Sequence, residues 1–321
     1  MIAPRSILTS GVAEALRCPV CRGPLRGGGE GLECTRDGCG AAFPVVDGVP
    51  VLINESSSVF PIADIVAGRS FHGEQPRGLK ERVLNALPNL SRNLKAPENF
   101  ALLHRLLRER SARRVLIIGG GGLGEGLAQI VDDPAFDVVE SDVYFGRRTN
   151  LVCDAHDLPF ADGTFDAVII QAVIHALLDP VRGVAEIHRV LAAEGLAYCE
   201  APFMQQICEG SFDFHRFSHL GLRRLFRHFE EIGSGAQGGP GMAAAWAYQH
   251  LLWSFVSSKR ARVLTRVFAR LTGFWLLFFD RLVIDRPAAI DAASGVFFLG
   301  RRSDSVLSDK ELIRQYRGWQ R

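Results

Sequence analysis

Two carboxylates and a run of glycines stand at spacings that could hold a nucleotide-like cofactor. Gly119 begins the run G-G-G-G-L-G directly after the apolar residues 115–118, and glycine lets a backbone approach a ligand closely. Asp142 lies 21 positions after Gly121, where its carboxylate could accept hydrogen bonds from a ribose diol. Asp154 follows a third apolar segment and could accept one from an adenine amino group. The pattern alone leaves a nicotinamide or flavin dinucleotide and S-adenosylmethionine open.

The residues after Asp154 distinguish between these cofactors. The run from Asp154 to Val168, D-A-H-D-L-P-F-A-D-G-T-F-D-A-V, closely resembles the signature D-A-x-x-L-P-F-x-D-x-S-F-D-x-V of class I S-adenosylmethionine-dependent methyltransferases of the small-molecule type. Further on, Glu186 opens E-I-H-R-V-L, which is similar to the E-x-x-R-V-L element of that family. The resemblance covers about residues 114–229. It implies that S-adenosylmethionine is bound by Gly119, Gly120, Gly121, Asp142, Asp154, Ala155 and Gln171.

The chain departs from that family pattern at two positions. Ile117 stands where many members carry an acidic residue in the first strand, and Leu123 stands where the third glycine of G-x-G-x-G is expected. Both departures concern the methionine and ribose ends of the cofactor. They keep open a second interpretation, in which a non-catalytic methyltransferase fold serves as an interaction scaffold.

Four cysteines near the N-terminus have the spacing of metal ligands. Cys18 and Cys21 form a C-P-V-C pair, and Cys34 and Cys39 form a second pair with a longer spacing. Paired thiolates on two turns suit tetrahedral Zn²⁺. Together with the later run F-P-V-V-D-G-V-P-V-L, the segment resembles the small zinc-ribbon proteins that activate tRNA and protein methyltransferases. That resemblance implies a structural zinc held by these four residues.

Disulfides and inert thiols are the alternatives for these cysteines. Residues 1–17 contain no apolar core long enough for a secretion signal, so we expect a cytoplasmic chain, with peripheral membrane contact left open. In a reducing compartment, clustered cysteines favour a metal over a disulfide.

We expect an α/β fold: a Rossmann-like, mostly parallel sheet flanked by helices, with a small zinc ribbon at the N-terminus and a helical insertion before the last strand. Helices are expected at 79–86, 100–110 and, after the glycine run, 124–131. The expected boundaries are 1–54 for the zinc-ribbon-like module, 55–99 for a linker with a helix, 100–303 for the methyltransferase domain and 304–321 for a tail.

The insertion, residues 242–290, combines aromatic and basic side chains. Its main part, 242–284, contains among others Trp246, Trp253, Trp275, Lys259, Arg260, Arg262, Arg266 and Arg270. Four interpretations stay open: contact with an anionic membrane surface, a cover over the active site, a dimer interface, and a packed helix pair with a solvated basic stripe.

The segment D-F-H-R-F at 213–217 resembles a family segment that borders the acceptor pocket. It implies His215 as the base for a hydroxyl acceptor, with His175 as the second candidate. The alternative is a simple helix start, with Ser218 as the N-cap and Arg216 as a surface charge. Because the sulfonium methyl is already activated, methyl transfer mostly needs alignment, and a base is optional.

Composition limits the partners. A formal net charge of +2 over 321 residues argues against general nucleic-acid binding. We expect a methyltransferase whose small-molecule, glycan or lipid-linked acceptor is partly apolar or sugar-linked. An RNA-base methyltransferase and a non-enzymatic scaffold are the alternatives, and a dehydrogenase is disfavoured because no acid–histidine substrate signature accompanies the glycines.

Overall fold

The computed structural model describes residues 8–28, 31–68 and 87–320. The strands in this part of the chain are β1 Leu25–Gly28, β2 Gly31–Cys34, β3 Ala42–Val46, β4 Val49–Leu52, β5 Arg114–Ile118, β6 Asp137–Asp142, β7 Leu151–Cys153, β8 Phe165–Gln171, β9 Leu191–Pro202, β10 Phe229–Gly238 and β11 Gly295–Arg302. They form one sheet in the order β1-β2-β3-β4-β7-β6-β5-β8-β9-β11-β10. The predicted α/β class with a mostly parallel sheet is confirmed.

The centre of the sheet is parallel and apolar on both faces. β5 pairs in parallel with β6 and β8, and the run Val115–Ile118 is buried. Strands covered on both faces read as continuous apolar runs, which is the pattern of this segment. Parallel pairing also brings the carboxyl ends of β5 to β8 to one edge, where ligands bind in open α/β sheets. The antiparallel strands β10 and β11 complete the far side.

The four N-terminal strands form an antiparallel ribbon that extends the same sheet. The last of them, β4, pairs in parallel with β7, opposing Leu52 to Cys153. All four β4 residues are buried, as expected of the uninterrupted apolar run V-P-V-L. A bridge between Leu16 and Phe160 adds a second connection. The domain boundaries given above stay predictions, and the helix expected at 79–86 lies outside the described residues.

Helices flank the sheet and fill the connections between strands. Their bounds are Ser10–Ala13, Ile62–Val66, Ala96–Glu109, Ala128–Val131, Pro180–Val190, His219–Leu225, Pro240–Ser254, Lys259–Gly273, Leu276–Val283, Pro287–Asp291 and Asp309–Arg314. The helix expected at 100–110 begins earlier, because Asn93 Oδ1 accepts the Ala96 N–H (2.9 Å) and a proline stands in its first turn. The helix expected at 124–131 is shorter, because Gly126 takes a φ of +83° ahead of it.

The predicted helical insertion lies between β10 and β11. Its first and third long helices are joined at Asp280, a buried carboxylate that accepts the N–H groups of Gly241 (2.6 Å) and Met242 (2.9 Å). A carboxylate at a helix start satisfies N–H groups that have no partner within the helix. Within the described part of the chain, no helix combines the length and apolar character needed to cross a bilayer.

Candidate cofactor and acceptor site

Five of the residues predicted to bind the cofactor line one cleft at the carboxyl edge of the parallel strands. They are Gly119, Asp142, Asp154, Ala155 and Gln171. The cleft has a volume of about 250 Å³. Asp142 ends β6 and Asp154 follows β7, and because these strands are parallel neighbours both carboxylates reach the same opening.

The glycine run forms a tight turn beside this cleft. The N–H groups of Gly119 and Gly120 donate to the Ser141 carbonyl (2.8 and 2.9 Å), and Gly121 N–H donates to Asp142 Oδ2 (2.9 Å). Gly119 has a φ of +80°, a conformation that favours glycine. Gly120 and Gly121 form part of this turn but do not line the cleft, and the Gly121 N–H orients the Asp142 carboxylate.

Asp154 is held by its neighbours. Its Oδ1 accepts a hydrogen bond from His156 Nδ1 (2.5 Å), and its Oδ2 accepts one from the Ser58 hydroxyl (2.6 Å). His156 Nε2 accepts the Asp179 N–H (3.0 Å), so Nδ1 is the ring nitrogen that donates to Asp154. Burial raises the pKa of Asp154, but these hydrogen bonds outweigh burial and hold the pKa below its ordinary value. Asp154 is therefore an ionised acceptor.

The E-x-x-R element clamps the loop that carries Asp154. The Arg189 guanidinium donates to the carbonyls of Leu158 (2.8 Å) and Phe160 (2.7 Å) and to Glu186 Oε2 (2.7 Å). Glu186 in turn accepts the Leu158 N–H (3.1 Å). Charge-assisted bonds of this kind fix geometry as well as adding stability. The family signature thus has a structural role that its sequence pattern alone does not reveal.

A second cleft adjoins the first on the other side of the glycine run. The two clefts share Ile118, Gly119, Gln171 and Ala172. The second is rich in carboxamide and hydroxyl side chains, namely Asn89, Ser91, Asn93, Gln171, Gln205 and Gln237. Met242, from the first helix of the insertion, also lines it.

Glu200 is a buried carboxylate of the second cleft, and sequence reasoning missed it. The Tyr198 hydroxyl donates to its Oε1 (2.5 Å), and the amides of Asn93 (2.8 Å) and Gln171 (3.0 Å) donate to its Oε2. Burial raises the pKa of Glu200, and these hydrogen bonds only partly offset the rise. The sequence did contain a signal for this residue, because a glutamate stands inside the apolar run L-A-Y-C-E-A. A carboxylate that is buried in such a strand needs hydrogen-bond partners, which indicates a polar site.

The two histidines predicted as catalytic lie beside each other, outside the lining. Among the described residues that line the two clefts, neither His175 nor His215 occurs. The His175 carbonyl accepts the His215 N–H (3.0 Å), and burial lowers the pKa of His175 to about 4. Their catalytic roles stay predictions.

The segment around His215 makes a helix start. Arg216 forms a two-point ion pair with Asp213 and also donates to the Gln205 carbonyl (2.7 Å). Burial raises the pKa of Asp213, but the Arg216 guanidinium holds it well below its usual range. The Ser218 hydroxyl accepts the Gly221 N–H (3.1 Å), as expected of an N-cap.

The four N-terminal cysteines converge on one point. Their sulfur atoms all lie within 4.8 Å of one another, with 3.8 Å between Cys18 and Cys39 and 3.4 Å between Cys21 and Cys34. Thiolates about 2.3 Å from a tetrahedral Zn²⁺ stand about 3.8 Å apart, so the donor set fits zinc. The longer second spacing is absorbed by a turn through Gly38, whose φ is +79°.

Known proteins match two parts of the chain. A family model described as a methyltransferase domain matches residues 131–199. Residues 131–199 thus belong to a methyltransferase domain. Over 57 residues the chain is 40% identical to the ubiquinone/menaquinone biosynthesis C-methyltransferase UbiE of Citrifermentans bemidjiense, a match that covers 18% of the chain and 24% of that protein. The chain thus spans about a quarter of that relative's length.

The second match concerns a small protein. Over 44 residues the chain is 41% identical to a UPF0434 protein of Pseudomonas savastanoi pv. phaseolicola, covering 14% of the chain and 72% of that protein. That segment of the chain belongs to the UPF0434 family. Among solved structures, a putative sarcosine dimethylglycine methyltransferase from Galdieria sulphuraria aligns at 16% identity and a TM-score of 0.41, covering 66% of this chain and 87% of that one.

The predicted resemblance to methyltransferases is confirmed by the family-model match over residues 131–199. The part that each cleft residue plays in the methyltransferase stays a prediction, because the matches identify a domain and not its contacts.

Proposed function

We propose that the protein transfers a methyl group from S-adenosylmethionine, with the adenosine in the first cleft and the methionine portion in the second. The observation that carries this proposal is the convergence of Asp142 and Asp154 on one cleft beside the glycine turn. One carboxylate suits a ribose diol and the other an adenine amino group, because ionised carboxylates are strong acceptors for neutral donors.

We assign to Glu200 the contact with the α-ammonium of the methionine portion. Ile117 pairs with Ile169 across β5 and β8, and Ile169 pairs with Tyr198 across β8 and β9. Glu200 is two residues beyond Tyr198, and residues two apart share one face of a sheet. Its carboxylate thus belongs to the same face as Ile117, and both residues line the second cleft. Many members of the family carry an acidic residue at the position of Ile117. We propose that Glu200 provides the negative charge that this position lacks here.

The proposed methyl transfer requires little acid–base catalysis by the side chains of the protein. S-adenosylmethionine supplies a methyl group activated by the sulfonium charge, so the residues of the two clefts have to hold both of its ends and align the acceptor. For a hydroxyl acceptor His215 is the proposed base, with His175 second. A pKa of about 4 makes His175 a weak base at neutral pH, which supports this order.

The acceptor is a small molecule, a glycan or a lipid-linked compound with a hydroxyl-bearing polar group. Carboxamides both donate and accept hydrogen bonds, as recognition of hydroxyl groups requires, and five carboxamides line the second cleft: Asn89, Asn93, Gln171, Gln205 and Gln237. Met242 adds an apolar contact where the insertion begins.

A structural Zn²⁺ held by Cys18, Cys21, Cys34 and Cys39 completes the proposal. All four coordination positions would be filled by thiolates, so the ion would stabilise the ribbon and take no part in chemistry. A ribbon of this size buries too little apolar surface to be stable alone, which is the situation that structural zinc serves.

Isothermal titration of the full chain with S-adenosylmethionine tests the proposed function. We expect saturable binding that Asp142→Ala and Asp154→Asn weaken at least about tenfold, because each removes a charge-assisted hydrogen bond. Asp304→Asn, at an exposed aspartate, is the control. Folded protein that does not bind at millimolar ligand would refute the proposal and favour the scaffold. Binding of NADH instead would favour a dehydrogenase, and salt-dependent RNA binding an RNA-base methyltransferase.

A further inference from the structure

An apolar stripe runs along the outside of the insertion. We call it the insertion surface. Its residues stand three or four positions apart, except for the adjacent Phe278 and Phe279, and each is between 49% and 71% exposed: Leu264, Phe268, Leu271, Trp275, Phe278, Phe279 and Leu282. Phe274 and Trp275, between the second and third long helices, keep right-handed helical dihedrals, so the stripe continues from one helix into the next. Side chains at this spacing share one helix face.

Such a surface is unusual for a protein in water. Isolated exposed apolar residues are common, whereas a contiguous stripe of leucines and aromatic side chains marks an interaction site. The opposite side of the same helices already packs within the insertion, since Ala269 and Gly273 are buried. The insertion surface is therefore available for a partner outside the described residues.

The charges of the insertion indicate the kind of partner. Residues 240–284 contain six lysines and arginines against a single acid, Asp280, whereas the whole chain has a net charge of only +2. Asp280 is buried against helix N–H groups and does not neutralise the surface. The exposed cations of the insertion are Lys259, Arg260, Arg262 and Arg281, and none of them forms an ion pair within the described part of the chain.

An anionic bilayer surface fits this combination better than a second copy of the chain. Helices with aromatic and leucine side chains on one face and basic residues beside them lie in the interface of membranes that contain acidic lipids. A second copy would place cations against cations, which like-charge repulsion disfavours. Helices of this kind lie in the plane of the membrane surface, so the contact that we infer is peripheral.

The insertion also connects this surface to the second cleft. Met242 lines that cleft, and Trp246, one turn later in the same helix, donates to the Ser91 hydroxyl (3.1 Å) at its rim. Asp280, in the helix that carries Phe278 and Leu282, holds the start of the helix that contains Met242. The apolar surface and the acceptor cleft thus belong to one packed unit.

We propose that the insertion surface docks the protein on an anionic membrane, with the stripe from Leu264 to Leu282 in the interface and the neighbouring basic residues on lipid headgroups. A lipid-borne acceptor would then reach the second cleft from the bilayer. The lipid-borne acceptor rests on the proposed function, whereas the docking does not.

Sedimentation of the full chain with vesicles tests the docking. The probes are vesicles of phosphatidylcholine alone and of phosphatidylcholine with phosphatidylglycerol, at low and at physiological salt. We expect binding to the mixed vesicles that falls with salt. Arg260→Gln with Arg281→Gln should lower the partition coefficient about 25-fold, since each basic residue near the surface contributes about fivefold. Phe268→Asp should lower it at least about tenfold.

The matched control is Ile313→Asp, at an apolar residue outside the insertion that is 69% exposed, against 53% for Phe268. The proposal would be overturned if the chain did not bind mixed vesicles. It would also be overturned if Ile313→Asp and Phe268→Asp reduced vesicle binding equally. A dimer in solution that Phe268→Asp abolishes, without vesicle binding, would assign the surface to a second copy. S-adenosylmethionine titration of the same samples separates the two proposals, because vesicle docking requires no cofactor.

Discussion

Replacing Glu200 by glutamine should weaken S-adenosylmethionine binding and leave the fold intact. The carboxylate is 2% exposed, so an ammonium bound to it would be shielded from water. A hydrogen bond to a charged group contributes about 1.5–3 kcal/mol. At 1.36 kcal/mol for each factor of ten, the affinity for S-adenosylmethionine should fall about 10- to 150-fold.

The hydrogen-bonding surroundings of Glu200 can accommodate glutamine. Its carbonyl oxygen can still accept from the amides of Asn93 and Gln171. Its NH₂ group then meets the Tyr198 hydroxyl, which can turn and accept, as it already accepts from the Asn99 amide (3.2 Å). The buried Tyr198 O–H then loses its acceptor, which costs about 1–3 kcal/mol, while the side-chain volume at position 200 is unchanged.

The pH dependence of stability gives an independent readout of this substitution. Because burial raises the pKa of Glu200, the folded chain holds its proton more tightly than the unfolded chain does. This tighter proton binding stabilises the folded chain fully at pH values below 4.5, the ordinary pKa of glutamate. The stabilisation is lost as pH rises through the raised pKa of Glu200. Glutamine does not titrate, so the unfolding temperature of the variant relative to the wild type should rise as pH increases through the raised pKa of Glu200.

A comparison of two ligands and two variants separates the loss of the ammonium contact from a general distortion of the cleft. In calorimetry at pH 7.5, S-adenosylmethionine should lose affinity for Glu200→Gln, whereas 5′-methylthioadenosine, which has no ammonium, should keep it. Glu230→Gln, at an exposed glutamate of β10, should change neither. An equal loss for both ligands would show a distorted cleft, and an S-adenosylmethionine affinity within twofold of wild type would refute the role of Glu200.

Three further predictions follow from the described geometry. Elemental analysis should find one zinc per wild-type chain and less than half an atom in Cys21→Ser, with a lower unfolding temperature. Gly119→Ala should cost roughly 2–5 kcal/mol in urea unfolding, from a left-handed backbone and overlap with Val173, whereas Gly122→Ala, with open space around it, should be nearly neutral. His175 contributes stability above pH 6.5 that is lost as pH falls toward its pKa of about 4, and His175→Gln should flatten the unfolding temperature over that range.

The central sheet and the first cleft could be predicted because their signals are local. Continuous apolar runs specify buried parallel strands, and residues that directly follow neighbouring parallel strands must meet at one edge. Asp142 and Asp154 therefore share a cleft once the order of β6 and β7 is known. Periodicity does not contain that order, and the resemblance implied only that both carboxylates bind one cofactor.

The rest of the site depends on contacts between distant segments. The Ser58 hydroxyl reaches Asp154 only because β4 pairs with β7, and nothing near either residue encodes that pairing. The run V-P-V-L of β4 was a signal, because a strand exposed on one face would alternate polar and apolar residues. Asn93 likewise reaches Glu200 across more than a hundred residues of sequence. Such partners follow from tertiary packing and not from spacing.

The ribbon and the cofactor cleft form one hydrogen-bonded unit. Two residues beyond β4, the Asn54 amide donates to Asp157 (3.2 Å), and the Ser58 hydroxyl donates to Asp154 (2.6 Å). Both acids belong to the loop after β7, the strand that β4 covers. Without the ribbon, β7 would be an edge strand, and Asp154 would lose a bond that keeps it ionised and oriented. We therefore expect the proposed metal binding by the cysteines to strengthen the proposed adenine contact of Asp154, since whatever orders the ribbon also orients this carboxylate through β4.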